Sequence, residues 1–290
     1  MRPAEKLLVL LLCRLGQEIR PLRPAELRRF SEALAAVHAD ENAEVTDDVL
    51  RACGIAEETR RRVLSLLARE DVLASYLAAA PDVSVLTRIS EGFPQRLRRL
   101  GVDCPGVLFC KGDVRLLTTR CVCLVGSRRL NAQGRAFAAH IGTLAAKEGF
   151  TLVSGGAVGA DRSAQEACLA AGGRVVSFVP GALTGCRTRK NVLYCSDEGY
   201  ELAFSAARAL RRNLFIHALG EKVFVAQCPR CTGGTWAGTQ ENLRRGLSTV
   251  YALRDGTEGT DALGALGAVL LPGFPPSIGD LEPPQLSIFN

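Results

Sequence analysis

The chain has 290 residues, 47% hydrophobic and 23% charged, with 36 Lys plus Arg against 30 Asp plus Glu and a formal net charge of +6. This is a globular composition of about two domains, which excludes collagen-like, disordered and coiled-coil chains and permits a polyanionic partner without demanding one. The apolar run Leu7 to Cys13 is too short for a bilayer and is followed by no small-residue cleavage site, so a soluble cytoplasmic protein with no membrane partner is expected.

Residues 1–80 carry helical periodicity alone: Leu7 to Leu15, Ala25 to Val37, a piece around Val49, and Glu57 to Leu67 continuing towards Leu77. They read as a small helical module of SAM or helix-hairpin-helix type, whose Cys53-Gly54-Ile55 turn offers a DNA contact or, more simply, a structural cap. The clusters Arg60, Arg61, Arg62 and Arg96, Arg98, Arg99 read as solvated helix faces. Val83 to Ile89 and Val107 to Cys110 are short lead-in strands. From Cys121 the pattern alternates: strand Cys121 to Val125, helix Gly134 to Glu148, strand Thr151 to Ser154, helix Asp161 to Ala171, strand Arg174 to Val179. Strands separated by single helices pair in parallel, because each crossover returns the chain to the same end of the sheet. Helices Ser205 to Leu219 and Thr239 to Gly246, with strands Val223 to Ala226, Thr249 to Leu253 and Ala268 to Leu271, continue the pattern. The expected fold is α/β: an extended Rossmann-like, doubly wound, mostly parallel sheet over 81–273, preceded by the helical module and followed by a proline-rich tail, 274–290.

Open parallel sheets bind ligands beyond the C-terminal ends of their strands. Those positions hold Gly126-Ser127-Arg128, then Ser154-Gly155-Gly156 with Gly159, then the basic loop with Arg187, Arg189 and Lys190, and finally Gly233-Gly234-Thr235. Glycines let backbone N–H groups approach phosphate oxygens, helix N-termini add positive potential, and the cations would line the same rim, which suits a string of phosphates. Asp161 reads as the N-cap of its helix. The dinucleotide and P-loop fingerprints are absent, and His38, His140 and His217 lie near no Ser or Cys motif, so no cofactor, zinc site or catalytic triad is expected. Cys228-Pro229-Arg230-Cys231 is a lone C-x-x-C that reads as a free-thiol loop, and the eleven cysteines suit a reducing compartment.

In this order, Gly126-Ser127-Arg128, Ser154-Gly155-x-Ala157-x-Gly159-x-Asp161 and Arg212-Asn213 resemble the DNA-processing protein A family (DprA, also called Smf). The upstream Phe93-Pro94-x-x-Leu97 and Pro105-x-Val107-Leu108-Phe109-x-Lys111-Gly112 match that family's lead-in. The resemblance implies a non-enzymatic, dimeric Rossmann-type protein that binds single-stranded DNA and helps load RecA, with Arg128 and Lys190 or Arg212 on phosphates. Leu214, Gln227 and the segment Thr232 to Gly238 depart from the family's pattern and mark a divergent branch. The rival reading is a nucleotide-processing enzyme of the phosphoribohydrolase-related group, or a small-nucleotide sensor; for the enzyme, Gly233-Gly234, Gly238-Thr239 and Glu241 stand at the wrong intervals. In the tail, Gln285, Leu286, Ser287, Ile288 and Phe289 resemble a sliding-clamp-binding pentapeptide, with docking on the chain's own domain as the alternative.

Overall fold

The computed structural model describes residues 1–36 and 45–282; the pentapeptide Gln285 to Phe289 lies outside the described residues. Five helices come first: α1 (Pro3–Leu12), α2 (Pro24–Ala36), α3 (Asp47–Ala52), α4 (Glu57–Leu67) and α5 (Glu70–Ala78). They are followed by β1 (Val83–Thr87), the short α6 (Gln95–Arg98), β2 (Val107–Lys111), β3 (Cys121–Val125), α7 (Ala132–Lys147), β4 (Thr151–Ser154), α8 (Ala160–Ala170), β5 (Arg174–Phe178) and β6 (Val192–Ser196). The chain continues through α9 (Ala206–Leu219), β7 (Lys222–Val225), α10 (Gly233–Arg245), β8 (Thr249–Leu253), α11 (Glu258–Ala265) and β9 (Val269–Leu271). None of the helices is long and apolar enough to cross a membrane among the described residues.

The nine strands of the described residues form one sheet in the order β1-β2-β6-β5-β4-β3-β7-β8-β9. The seven from β6 to β9 pair in parallel, while β2 joins β6 antiparallel and β1 joins β2 antiparallel. The fold is therefore the doubly wound, mostly parallel α/β sheet that the alternation predicts. Along β3 the side chains divide by parity: Cys121, Cys123 and Val125 face the core shared with α9 and α10, while Val122 and Leu124 face the core shared with α7 and α8. Helices on both faces explain why all five residues of β3 are buried and why it reads as an unbroken apolar run. From β3 the chain winds outward through β4, β5 and β6, then returns through α9 to β7 on the other flank of β3. The order reverses between β3 and β7, and a crevice opens there beyond their C-terminal ends.

The helical module has its own core of Leu11, Leu22, Phe30, Leu50, Val63 and Leu66, and a second one in common with the sheet edge, where Val9, Leu10 and Tyr76 pack on Val107 and Phe109. Arg69 is buried beneath α1 and donates to the carbonyls of Leu10, Cys13 and Arg14, closing that helix end. Two of the arginine clusters are not the solvated faces they resemble. Arg61 is exposed, but Arg60 pairs with Asp47 at 2.8 Å and Arg62 with Glu26 at 2.8 Å, both largely covered. Arg96 donates to the carbonyls of Ala218, Gly220 and Leu247, tying the end of α9 to the turn before β8. Arg98 holds the carbonyls of Arg88 and Ser90. Helical spacing shows which face a residue occupies, not which neighbouring carbonyls that face meets.

The stretch after β9 is anchored as far as the description runs. Ile278 is fully buried among the α7 and α8 side of the core, Glu148 accepts from the N–H groups of Ile278 and Gly279 at 2.8 and 2.7 Å, and Lys222 donates to the Ile278 carbonyl at 2.6 Å. Residues 274–282 thus belong to the domain rather than to a free tail.

Candidate nucleic-acid interface

Four segments meet at the crevice. Gly126-Ser127-Arg128 leaves β3 and is fixed on both sides: Ser127 N–H donates to the Gln227 carbonyl at 2.9 Å, and the Ser127 carbonyl accepts from Ala160 N–H at 3.1 Å. Gly159, at φ +96°, lies so close that a Cβ there would stand 2.4 Å from the Ser127 carbonyl oxygen; only glycine lets the loops after β3 and β4 touch. Gly126 is equally constrained, since its Cβ would lie 2.6 Å from that of Ala160.

Asp161 is not the cap of α8. That position is Gly159, without a side-chain bond. Asp161 stands one residue inside the helix and accepts from the N–H groups of Gly155 and Ala157 at 3.1 and 3.2 Å, clasping the glycine loop shut. Burial pushes its carboxyl up, against the pull of Arg212, whose Nη1 lies 3.8 Å away. Arg212 is itself only 8% exposed and lies over Gly155, where a Cβ would sit 1.1 Å from Nη1. The missing side chain of Gly155 is the berth of Arg212. This guanidinium is thus part of the crevice wall, not an outlying cation. Gly156, at φ +68°, turns the same loop, and Ser154 is buried and engaged by Gln165 at 2.6 Å.

Asn213 beside it donates to the Gly234 carbonyl at 3.0 Å, and the Thr235 hydroxyl donates to the Gly126 carbonyl at 2.9 Å, so α9 and the start of α10 close the other side. Thr232 precedes α10 without making a side-chain cap, and Gly233 and Gly234 carry no side chains to cover the first N–H groups of that 13-residue helix. This helix start lines an open cavity of about 720 Å³, a size suited to a small molecule or a nucleotide. Arg128 is exposed at its edge. Two large apolar side chains line the mouth while facing water, Phe204 at 60% and Leu210 at 52% exposure.

The structure brings together Gly126, Ser127, Arg128, Gly155, Gly156, Gly159, Arg212, Asn213, Gly233, Gly234 and Thr235, and separates Arg187, Arg189 and Lys190 from them. Val192 pairs beside Val175 at the start of β5, so residues 187–190, immediately before β6, lie at the N-terminal end of the sheet, on the far side from the crevice. The reason is topological: a parallel crossover must carry the chain from one end of the sheet to the other, and the basic triplet stands at the end of that return.

Sequence reasoning passes over Phe204, Leu210 and His217. Phe204 carries no periodic signal, and only the fold shows that it borders a cavity. His217 lines the crevice floor, and burial pushes its imidazole down to about 4. Asn242 lies 3.2 Å from its Nδ1, while its Nε2 has no partner among the described residues. In the C-x-x-C segment Cys228 is buried and Cys231 exposed, between the rim residues Pro229 and Thr232.

Fold and crevice together define a Rossmann-like α/β protein whose switch point is walled by glycine loops, a helix N-terminus and a buried Arg-Asp pair. A family model described as DNA recombination-mediator protein A matches residues 84–270, and the chain belongs to that family. It is 28% identical over 194 residues to the DNA processing protein DprA of Bacillus subtilis, covering 63% of each chain. It therefore spans just under two thirds of the length of that relative. The X-ray structure of DNA processing protein A from Streptococcus pneumoniae shares the fold, with a TM-score of 0.68 at 21% identity over 86% of this chain and 95% of that one. A Helicobacter pylori DNA processing protein A structure, described in terms of its single-stranded DNA binding mode, gives a TM-score of 0.55 at 24% identity over 66% and 92%.

Proposed function

We propose that the protein is a non-enzymatic mediator that binds single-stranded DNA in this crevice. The observation that carries the reading is the pairing of two features at one mouth: uncapped N–H groups of α10 beside Arg128, which suit a phosphate, and the water-exposed Phe204 and Leu210, which suit the face of a base. A phosphate alone would need no apolar rim. The Helicobacter pylori relative, described as binding single-stranded DNA, supports it.

The test is a salt series with oligonucleotides. Arg128→Ala is expected to weaken binding for all sequences and to lower the slope of log K against log salt by about 0.7, one phosphate on a single strand. Phe204→Ala is expected to cost about fivefold or more, the lower end of base stacking, with the slope unchanged. Unaltered affinity in both folded variants refutes the site.

The phosphoribohydrolase-like alternative needs Glu241 in the crevice, because Asp161, which does line it, is engaged by the N–H groups of Gly155 and Ala157 and by Arg212. Glu241 is instead held by Arg244, at 2.6 and 2.9 Å, and is not among the cavity-lining residues. Ribose 5-phosphate released from a nucleoside monophosphate, and lost in Glu241→Ala, would reinstate it. Family membership extends the proposal to loading of RecA by a homodimer, checked by RecA-driven strand exchange and by sedimentation. The pentapeptide Gln285 to Phe289 adds a sliding clamp as partner, checked by mixing the two proteins.

A further inference from the structure

A second cleft, of about 330 Å³, opens where the helical module meets the sheet. Five arginines line it: Arg14, Arg20 and Arg23 from the α1–α2 connection, Arg88 after β1, and Arg211 of α9. Its acidic groups are Asp197 and Glu198, which follow β6 and pair with Arg211 at 2.8 and 3.8 Å, and Glu26 beside it, which pairs with Arg20 at 3.3 Å. Arg14, Arg23 and Arg88 are left with no acidic partner among the described residues. Three uncompensated guanidiniums around an apolar floor of Leu22, Leu27 and Val107 hold a standing positive potential at the domain junction.

The topology decides where that potential points. β1 and β6 both run antiparallel to β2, so they run in the same sense, and β6 is parallel to β5, β4 and β3. Arg88 and Asp197 therefore emerge at the same edge of the sheet as Gly126. In the strand order, β6 is three places from β3 and β1 is five. At about 4.8 Å between strands, the arginine cleft begins about 14 Å from the crevice and reaches about 24 Å from it. The segment leading into α9 and that helix's first turns stand between the two, with Phe204 and Leu210 on the crevice side and Leu202 and Arg211 on the cleft side.

We propose that the cleft binds phosphates of the same nucleic-acid strand that occupies the crevice, about four to seven nucleotides further along, so that the helical module is part of the binding track. The spacing takes the strand at a duplex-like rise of about 3.4 Å per nucleotide. This rests on the crevice holding a strand. The chemistry recognised is a nucleotide phosphate, and a continuing strand, rather than a free nucleotide, is favoured because the cleft shares its edge with the crevice.

The experiment compares a tetranucleotide with a dodecanucleotide, with a mononucleotide as control, using the full chain, a triple variant Arg14→Ala, Arg23→Ala, Arg88→Ala, and its triple lysine counterpart. The alanine variant is expected to bind the tetranucleotide as the parent does, to bind the dodecanucleotide at least tenfold more weakly, and to show a salt slope smaller by about 2, three phosphates at about 0.7 each. The lysine variant, which keeps the charges, is expected to recover the slope. A melting curve matching the parent's establishes folding; should the triple variant not fold, Arg23→Ala and Arg88→Ala, taken singly, are expected to lower the slope by about 0.7 each. Equal dodecanucleotide binding by the alanine variant and the parent overturns the proposal. So does loss of mononucleotide binding without loss of dodecanucleotide binding, which would make the cleft a free-nucleotide site. A parent that binds neither length refutes the crevice reading itself and is told apart from failure of the cleft.

Discussion

Asp161→Ala is the sharpest test of how the crevice is held. The substitution removes the acceptor of two backbone bonds, from Gly155 and Ala157, and leaves the 8%-exposed Arg212 facing no carboxylate at 3.8 Å. A single hydrogen bond to a charged group contributes about 1.5–3 kcal/mol, and breaking a buried pair by removing one partner costs about 3–5 kcal/mol. The effects share one carboxylate and do not add, so a loss of about 3–5 kcal/mol is expected. Arg212→Leu alone leaves Asp161 buried without its counter-charge, a carboxyl that burial already pushes up, so it too destabilises. The double variant Asp161→Ala, Arg212→Leu is expected to cost less than the two singles together by about 1–3 kcal/mol. Urea unfolding of the four proteins measures the cycle. A single-variant cost below about 1 kcal/mol, with additive singles, would show that the carboxylate does not hold the loop, and the account of Arg212 as crevice wall would fall with it.

Gly142→Ala sets helix propensity against packing: alanine in mid-helix gains about 1 kcal/mol, but its Cβ would stand 2.1 Å from the Ala164 carbonyl oxygen of α8. Backbone cannot yield as a side chain does, so a net loss of about 2 kcal/mol or more and a lower melting temperature are expected; an unchanged melting temperature contradicts the close α7–α8 approach. His217 and Asp197 give opposite pH signatures. Burial holds the imidazole at about 4 against 6.5 unfolded, so stability should fall by about 3 kcal/mol as pH drops from 6.5 to 4, and His217→Phe should abolish that fall. Burial outweighs Arg211 and lifts Asp197 to about 6 from 3.8, so its contribution falls by about 2 kcal/mol as pH rises from 4 to 6, and Asp197→Asn should remove that decline. Denaturant midpoints of each variant at pH 4, 5, 6 and 7 separate the two; parallel profiles for variants and parent refute both. Ile278→Ala is expected to cost about 2–5 kcal/mol, as for a core residue, and a cost near zero would show the segment after β9 to be free.

The strands of the parallel sheet were legible because each is buried on both faces: β3, β4 and β8 have the limits that their apolar runs predict. β6 was not, since no helix separates it from β5 and the exposed Arg187 to Lys190 precede it. α11 and the first turns of α10 were hidden by Gly259, Gly264, Gly233 and Gly234, whose low helix propensity is overruled by packing: a Cβ on Gly259 would lie 1.7 Å from the Cys228 carbonyl oxygen. For the crevice, glycines after strands were a sound signal, because close approach of loops needs them wherever the chain runs. Charge was a poor one. Arginine is equally suited to reaching solvent and to tying buried carbonyls, and only tertiary structure distinguishes Arg128 from Arg96.

The distribution of thiols provides a built-in reporter. Eight of the eleven cysteines are buried, Cys53 and Cys186 are half-buried, and Cys231 alone is exposed, at the crevice rim. Burial pushes the Cys121 and Cys228 thiols up to about 12, far from the thiolate that alkylation requires. Limiting maleimide dye should therefore label the unmutated chain chiefly at Cys231. Fluorescence there would follow the filling of the crevice directly, with no engineered cysteine to disturb the surface being measured.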